Sequence, residues 1–450
     1  MPAPIVTGWC DAQREPDMSE TGWLPAWRLK SQGTIMPDER PSAGQTLVLG
    51  LQHVVAMFGS TALAPILMGF DPNLAILFSG VATLLFFAIT GGRLPSYLGS
   101  SFAFIAVVIA ATGYAGTGPN PNIPVALGGI VAAGIVYALV GLVVSLSGHG
   151  WIERLMPPAV TGAIVAAIGL NLAPIAVKGI SASGFDTAIG LVTVLAVGAV
   201  AVYGRGAVGR LPILIGGAIA YGIYLVLANG LGLAKPIDFS GIAGAAWFGV
   251  PALVTPVLDW SAVGLIAPVA VILVAENLGH VKGIAAMTGR SLDRYLGRAF
   301  LADGLATMLS GSLGGTGVTT YAENMGVMAV TRIFSTLVFA TAGTIAILFG
   351  LSPKFGAAIL TIPGPVIGGL SIVVFGLIAA TAGRIFVENR VDFSRARNLL
   401  TVGVALVLGA GDLTVKLGAF ALGGIGTATF GAILVYHLLR DEGAEKPAST

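Results

Sequence analysis

Long apolar runs, separated by short breaks rich in Gly, Pro and Asn, dominate the chain from Gly44 onward. A helix crosses a bilayer with roughly 17–25 apolar residues. Twelve segments of this kind are predicted, at 45–68, 73–91, 123–146, 158–177, 187–204, 210–231, 261–280, 297–312, 333–352, 366–383, 399–411 and 418–438. Two more stretches, 97–113 and 314–331, are apolar but interrupted by Gly, Ser and Thr. The pattern predicts an all-α polytopic membrane protein with 14 transmembrane segments.

The positive charges support this count. With 14 crossings, 19 of the 23 Lys and Arg residues fall on one side of the membrane, together with both termini. The other side holds only Lys178, Lys235, Lys354 and Lys416. Because Lys and Arg concentrate in cytoplasmic loops, we expect both termini in the cytoplasm.

The composition excludes several other classes. Of the 450 residues, 55% are hydrophobic and 10% are charged, whereas about 25% charged residues are usual in a soluble domain. A net charge of +2 without a basic run argues against nucleic-acid binding, and the single Cys10 argues against a disulfide framework. The polar segments 1–44 and 439–450 are predicted to be tails, and no signal peptide is recognised.

A short motif indicates an internal repeat. Residues 156–162 open the fifth predicted segment, residues 362–368 open the twelfth, and both contain Pro-x-x-Val-x-Gly. The interrupted segments, third and tenth, are also seven apart. An odd offset reverses the orientation of the second copy, as in the inverted repeats of secondary transporters, where interrupted segments mark a midplane binding site. Chance recurrence in a chain rich in Gly and Pro is the alternative.

Two ionisable residues follow an apolar run that should lie deep in the membrane. Glu276 and His280 are one helical turn apart and share a face. A carboxylate beside an imidazole, away from water, is suited to binding and passing a proton. The alternative is a structural pair that joins two helices.

A third acid, Glu323, lies in one of the interrupted segments. The Gly and Thr residues of 314–320 predict extended backbone before a helix that begins near Tyr321, and such backbone needs a cavity or protein partners within the membrane. The helix start presents free N–H groups and its positive dipole end. Residues 97–104 have the same construction. Together the two segments offer backbone donors, carboxylates and aromatic faces, which fit a flat heterocycle with N–H and C=O groups.

Other polar residues are weaker candidates. Asp303 either lines the core or lies at the interface below Arg298, and His53 is either near the site or a structural histidine. Trp151, Trp247 and Trp260 are interpreted as interfacial anchors. Because the four histidines are widely scattered, no metal site, cofactor site or catalytic constellation is predicted, which argues against an enzyme.

The chain resembles the uracil/xanthine permease family, also called nucleobase–cation symporter-2. The family signature, Gln/Glu-Asn-x-Gly followed after four residues by Thr-Arg/Lys, corresponds to Glu323–Arg332. Gln52–Gly59, Pro95–Phe102 and Ala275–His280 also match, and the resemblance spans about 45–438. Within the family the chain is most similar to bacterial uracil permeases and to the pyrimidine permeases of the pyrimidine-utilisation pathway.

The resemblance implies a specific architecture. Each chain would contain two inverted repeats of seven segments, with short strands in the third and tenth segments. Two chains would form a homodimer in a bacterial inner membrane and would transport by an elevator-like movement. The core domain would comprise 45–150 and 259–353, and the gate domain 151–258 and 354–438.

The resemblance also implies roles for individual residues. Glu276 and Glu323 would accept the ring N–H groups, backbone N–H groups near Phe102, Tyr321 and Ala322 would meet the ring carbonyls, and Phe102 would pack on the ring. His280 would couple binding to a proton. We therefore expect proton-coupled import of uracil or a related pyrimidine, with a xanthine or purine permease as the alternative. Three departures from close uracil permeases are Ala322 in place of Gly, Gly317-Val318 in place of a more polar pair, and Phe375 in place of Tyr.

Overall fold

The structure is a computed structural model that describes residues 22–116, 118–206, 208–417 and 420–439. Eighteen α-helices are present in these residues: α1 Ala43–Met68, α2 Pro72–Ile89, α3 Ala103–Thr112, α4 Ile123–Ser147, α5 Gly150–Leu155, α6 Pro158–Ile180, α7 Gly184–Tyr203, α8 Pro212–Leu225, α9 Ser240–Gly244, α10 Trp260–Ile266, α11 Val269–Thr288, α12 Leu296–Ser312, α13 Ala322–Thr331, α14 Thr336–Gly350, α15 Pro353–Ile359, α16 Gly364–Glu388, α17 Ala396–Ala410 and α18 Gly424–Leu438. A π-helix, Val226–Gly230, continues α8, and two 3₁₀ turns occupy Val208–Arg210 and Asp293–Tyr295.

The predicted apolar segments coincide with these helices, so the prediction of a mostly helical membrane protein is confirmed. Within the described residues, eight helices are long and apolar enough to cross a membrane, counting α10 and α11 together as Trp260–Thr288. A ninth is obtained if α14 and α15, which bend by 85°, form one span. Helices α3, α17 and α18 are apolar but shorter. The total of 14 crossings stays a prediction.

Among the described residues, three pairs of short strands accompany the helices. They are β1 Arg28–Leu29 with β2 Glu39–Arg40 in parallel, β3 Leu98–Ser100 with β4 Val318–Thr320 antiparallel, and β5 Val415–Leu417 with β6 Phe420–Leu422 antiparallel. The β3–β4 pair lies in the two interrupted segments, as predicted. The β5–β6 pair was not predicted, and it moves the start of the last helix from the expected residue 418 to Gly424.

Prolines and one cap explain where several helices begin. Proline occupies the first turn of α2, α4, α6, α8, α15 and α16, where a missing N–H removes no helical hydrogen bond. Helix α1 begins instead with a capping box, in which Ser42 and Gln45 cap each other's backbone N–H groups. It ends at Gly69, whose φ of +73° lies in the left-handed region.

Small residues set the distances between the long helices. An added Cβ on Gly134 of α4 would lie 2.7 Å from the backbone nitrogen of Met308 in α12. An added Cβ on Gly369 of α16 would lie 2.6 Å from the carbonyl oxygen of Gly190 in α7. Glycines at such crossings let helix backbones approach closely, and dispersion contacts then stabilise the pair where lipid provides no hydrophobic driving force.

The predicted N-terminal tail, 1–44, is not uniform. Residues 1–21 lie outside the described residues, as do 440–450 of the C-terminal tail. Residues 22–42 contain β1 and β2, and Ile35 pairs with Ile333 near the start of α14. This part of the predicted tail is therefore folded against the helices.

Candidate functional site

The centre of the site is the crossing of β3 and β4. Their register pairs Leu98 with Thr320, Gly99 with Thr319 and Ser100 with Val318. Two further backbone hydrogen bonds extend the pairing, from Ser101 N–H to Gly317 O (2.9 Å) and from Tyr321 N–H to Tyr97 O (3.0 Å). All six strand residues are buried. The extended backbone is thus satisfied by protein, as an interior without water requires.

The outer edges of this two-stranded sheet are closed by two threonines. Thr83 of α2 accepts a hydrogen bond from Leu98 N–H (3.0 Å), and Thr307 of α12 accepts one from Val318 N–H (3.2 Å). The Thr307 hydroxyl also donates to Val318 O at 3.1 Å. Each hydroxyl supplies the hydrogen-bond acceptor that a third strand would supply. This matters because an unpaired buried N–H is destabilising.

Two helices begin directly at the crossing. Helix α3 follows β3 with Phe102 as its N-cap, helix α13 follows β4 with Tyr321 as its N-cap, and neither N-cap side chain accepts a hydrogen bond from its helix. The expected helix start near Tyr321 is confirmed. The first N–H groups of a helix have no intrahelical acceptor, and its N-terminus carries partial positive charge. Acceptor atoms of a bound molecule can therefore be recognised here.

The structure corrects one of the expected donors. Tyr321 N–H is occupied by the carbonyl of Tyr97, so it is not available to a ligand. The Tyr321 side chain is also committed to the crossing, because its hydroxyl donates to Ser100 O (2.8 Å) and accepts from Thr61 Oγ1 (3.1 Å). Ala322, the first residue of α13, is exposed and remains a candidate donor together with Phe102.

The predicted ionisable residues lie around this crossing. Glu276 and His280 are half-buried on α11, and His280 Nδ1 is 2.8 Å from Thr320 Oγ1 of β4. Glu323, in the first turn of α13, is half-buried and accepts a hydrogen bond from Ser60 of α1. Helix α11, which carries Glu276, packs against β4 and against α13, which carries Glu323. Residues distant in sequence therefore form one cluster with two carboxylates and an imidazole.

Phe102 forms the aromatic side of the site. Its ring is 8% exposed and meets the ring of Phe375 of α16 edge-on, with centroids 5.8 Å apart. Phe375 is 2% exposed and offers no hydroxyl to the site. The contact joins a helix of the predicted core domain to one of the predicted gate domain.

Two buried polar clusters lie next to the site, and they contain His53 and Asp303, which the sequence indicated only as weaker candidates. Asn324 Nδ2 lies 3.0 Å from both the Nδ1 and the carbonyl oxygen of His53, which joins α13 to α1. Asp303 is fully buried, and its Oδ2 accepts from Asn277 Nδ2 (2.7 Å) and lies 3.3 Å from the Tyr137 hydroxyl. This burial favours the alternative in which Asp303 lines the core. The sequence signal that could have indicated this buried cluster is Asn277, a polar residue directly after Glu276.

No group of three or more His, Cys, Asp and Glu residues that could hold a metal ion is found in the described residues. An apolar cavity of about 230 Å³ lies between α1, α8 and α16, but its lining contains neither Glu276 nor Glu323. The polar cluster at the strand crossing is thus the candidate binding site.

Sequence comparison defines the class of protein. Residues 44–418 match the model Xan_ur_permease, described as "Permease family". The chain belongs to this family, and it is a membrane transporter and not an enzyme.

Particular relatives have narrower names. The chain is 64% identical over 420 residues to RutG of Escherichia coli K12, a pyrimidine permease by name, covering 92% of this chain and 95% of that protein. It is 41% identical over 416 residues to the uracil permease of the same strain, covering 89% and 93% respectively.

Structure comparison shows a shared fold. The transmembrane domain of the cyanobacterial bicarbonate transporter BicA superposes with a TM-score of 0.63 at 17% sequence identity, covering 86% of this chain and 96% of that domain. At this identity the likeness concerns the fold alone.

Proposed function

We propose that the protein imports uracil or a related pyrimidine nucleobase, together with a proton, across the inner membrane of a bacterium. The observation that carries this proposal is the convergence of two helix starts and two carboxylates at the β3–β4 crossing. A pyrimidine such as uracil has ring N–H donors and carbonyl acceptors in one plane, so it complements both sets of groups. The names of the relatives support the same substrate class.

Recognition would use both kinds of partner. Glu276 and Glu323 would accept the ring N–H groups, and the backbone N–H groups of Phe102 and Ala322 would donate to the ring carbonyls. The Phe102 ring would pack against the base. A site whose buried polar groups are all paired by one ligand rejects analogues that leave some of them unpaired.

Proton coupling would involve Glu276 and His280. A carboxylate in a membrane interior is unfavourable, so proton uptake that offsets its charge would favour the loaded, mobile carrier. Release of the proton on the cytoplasmic side would then favour release of the base. The contact of His280 with Thr320 places the imidazole beside the strand that leads to Glu323.

The transport movement would be elevator-like and would use 14 segments in two inverted repeats. The paired roles of Thr83 and Thr307, one for each central strand, support an internal symmetry. The core domain, 45–150 and 259–353, would move against the gate domain, 151–258 and 354–438. Helix α5 lies at this boundary, and its Glu153 forms an ion pair with Lys282 of α11 at 2.7 Å. A homodimer with cytoplasmic termini completes the proposal.

Uptake of labelled uracil into proteoliposomes tests the function. The proposal expects faster uptake when the outside is more acidic than the inside, and inhibition by unlabelled uracil or thymine. Binding of xanthine without any uracil uptake would select the purine alternative instead.

His280→Gln in the same assay separates binding from coupling. Loss of the imidazole should remove acceleration by the proton gradient while uracil binding is retained, because the carboxylates and backbone donors remain. Unchanged gradient dependence would remove the proton role from His280.

A further inference from the structure

Residues 22–42, the N-terminal strap, cross the end of the helix bundle at which α13 finishes. Trp23 Nε1–H donates to Ala88 O of α2 at 2.8 Å, and the Trp27 ring stacks on Phe87 of α2 with centroids 5.7 Å apart. Asp38 forms an ion pair with Arg290, after α11, at 2.7 Å. These partners all belong to the proposed core domain, so the strap is part of that body.

The strap also holds the C-terminal end of α13. Ile35, which is 4% exposed, donates its N–H to Arg332 O (3.0 Å) and accepts at its carbonyl from Phe334 N–H (2.8 Å). Arg332 has a φ of +57°, a conformation that L residues adopt at helix ends when neighbouring contacts hold it. Ile35 therefore fixes the point at which the chain leaves α13.

A second anchor lies one turn further on. Trp27 Nε1–H donates to Thr336 Oγ1 (2.9 Å), and this hydroxyl lies within hydrogen-bond distance of Pro37 O (3.0 Å) and Gly92 O (2.9 Å). Thr336 is fully buried. One hydroxyl thus connects the strap, the turn after α2 and the first residue of α14.

Helix α13 depends on such anchors because it is short and open on one face. It has 10 residues, and Ala322, Gly326, Ala329 and Val330 are exposed along it. On its packed side, Asn324 and Glu323 contact α1 near the N-terminal end. A helix about 15 Å long moves as a rod, so the position of its C-terminal end affects the position of the end that carries Glu323.

We propose that the N-terminal strap is a positioning element of the substrate site, in which Ile35 holds the far end of α13 and thereby sets the position of Glu323 and Ala322. The inference rests on the proposed function for the identity of the ligand only. A displacement of about 1 Å at a binding group is enough to weaken recognition strongly.

Proline substitution tests the Ile35 contact in the full-length protein. Ile35→Pro removes the N–H that donates a hydrogen bond to Arg332 O. The control Gln32→Pro introduces a proline at an exposed residue of the strap. We expect Ile35→Pro to weaken uracil binding roughly tenfold or more, and to speed hydrogen exchange of the α13 amides but not those of α7. Gln32→Pro should bind uracil and exchange like wild type.

A second pair of variants covers the case in which Ile35→Pro does not fold. Trp27→Phe with Asp38→Asn removes two side-chain anchors, and Ile35→Cys with Ile333→Cys in that background, with Cys10→Ser, can tie the strap to the chain after α13 by a disulfide. Neighbouring strand positions lie about 4.8 Å apart, within the range that a disulfide spans. Uracil affinity should fall in the first variant and recover only under oxidising conditions in the second.

Three outcomes would overturn the proposal. The first is wild-type uracil binding and hydrogen exchange in Ile35→Pro. The second is an increase in hydrogen exchange in α7 as large as that in α13. The third is a uracil affinity of the engineered cysteine pair that is the same under oxidising and reducing conditions. If wild-type protein does not bind uracil, the proposed function fails, while the exchange comparison between Ile35→Pro and Gln32→Pro still decides the role of the strap.

Discussion

The two interrupted segments of the chain, β3–α3 and β4–α13, share one construction but differ in chemistry. Each strand pairs with the other, each has its outer edge closed by a threonine, and each leads into a 10-residue helix that begins at the crossing. Helix α3 follows Phe102 and contains no charged residue, whereas α13 carries Glu323 in its first turn.

This difference indicates how two segments of similar construction would suit an asymmetric molecule. Both helix starts supply N–H donors and a positive dipole end, and the two candidate carboxylates, Glu276 and Glu323, belong to α11 and α13. A ligand with separate donor and acceptor edges would therefore be oriented in the proposed site. The ring of Phe102 would add an uncharged aromatic face against which the ligand packs.

Removing a carboxylate should have the largest effect on this asymmetry. Glu323→Ala and Glu276→Gln are expected to lower uracil uptake into proteoliposomes by roughly two orders of magnitude or more, because a ring N–H loses its acceptor in a buried site. Glu388→Gln is the matched control, since that carboxylate is 63% exposed at the end of α16. Wild-type uptake by purified Glu323→Ala protein would refute the site assignment.

Removing the threonine hydroxyls should have the next largest effect. Thr83→Val and Thr307→Val each leave a buried strand N–H unpaired, which is expected to cost about 1–3 kcal/mol in the free energy of unfolding. Thr307→Val should reduce transport more, because its strand leads to Glu323. Thermal stability and uptake measure the two effects.

The Thr→Ser variants at the same positions provide the control. Serine keeps the hydroxyl, so both Ser variants should stay near wild type in stability and uptake. Loss of stability in the Ser variants, with near wild-type Val variants, would show that packing of the methyl group, not the hydrogen bond, stabilises the strands.

Replacing the aromatic ring of Phe102 should have the smallest effect on uracil recognition. Phe102→Leu keeps an apolar side chain but removes the ring, and aromatic pairing is worth about 0.5–1.5 kcal/mol beyond area burial. Uracil affinity should therefore fall several-fold, as measured by equilibrium binding. Phe104→Leu, two residues further at a fully buried position, should lower thermal stability and leave affinity unchanged; the reverse result would exclude Phe102 as a contact.

Several features of the site could be predicted because they depend on local sequence. Glu276 and His280 share a helix face by spacing alone, and the Gly and Thr residues before Tyr321 predicted a break followed by a helix start, as found. The partners of these residues could not be predicted in the same way. Ser60 reaches Glu323 across 263 positions of the chain, and no local pattern encodes that contact.

The amino-acid sequence by itself determined the class of this protein, the course of its helices and the residue types at its centre, because apolar run length, helix breaks and membrane-buried charge are local properties. Only the tertiary structure decided that Tyr321 N–H donates to Tyr97 O, that Asp303 is buried and that residues 22–42 fold against the helix bundle. Each of these depends on which backbone groups meet across the fold, where every buried donor must find an acceptor.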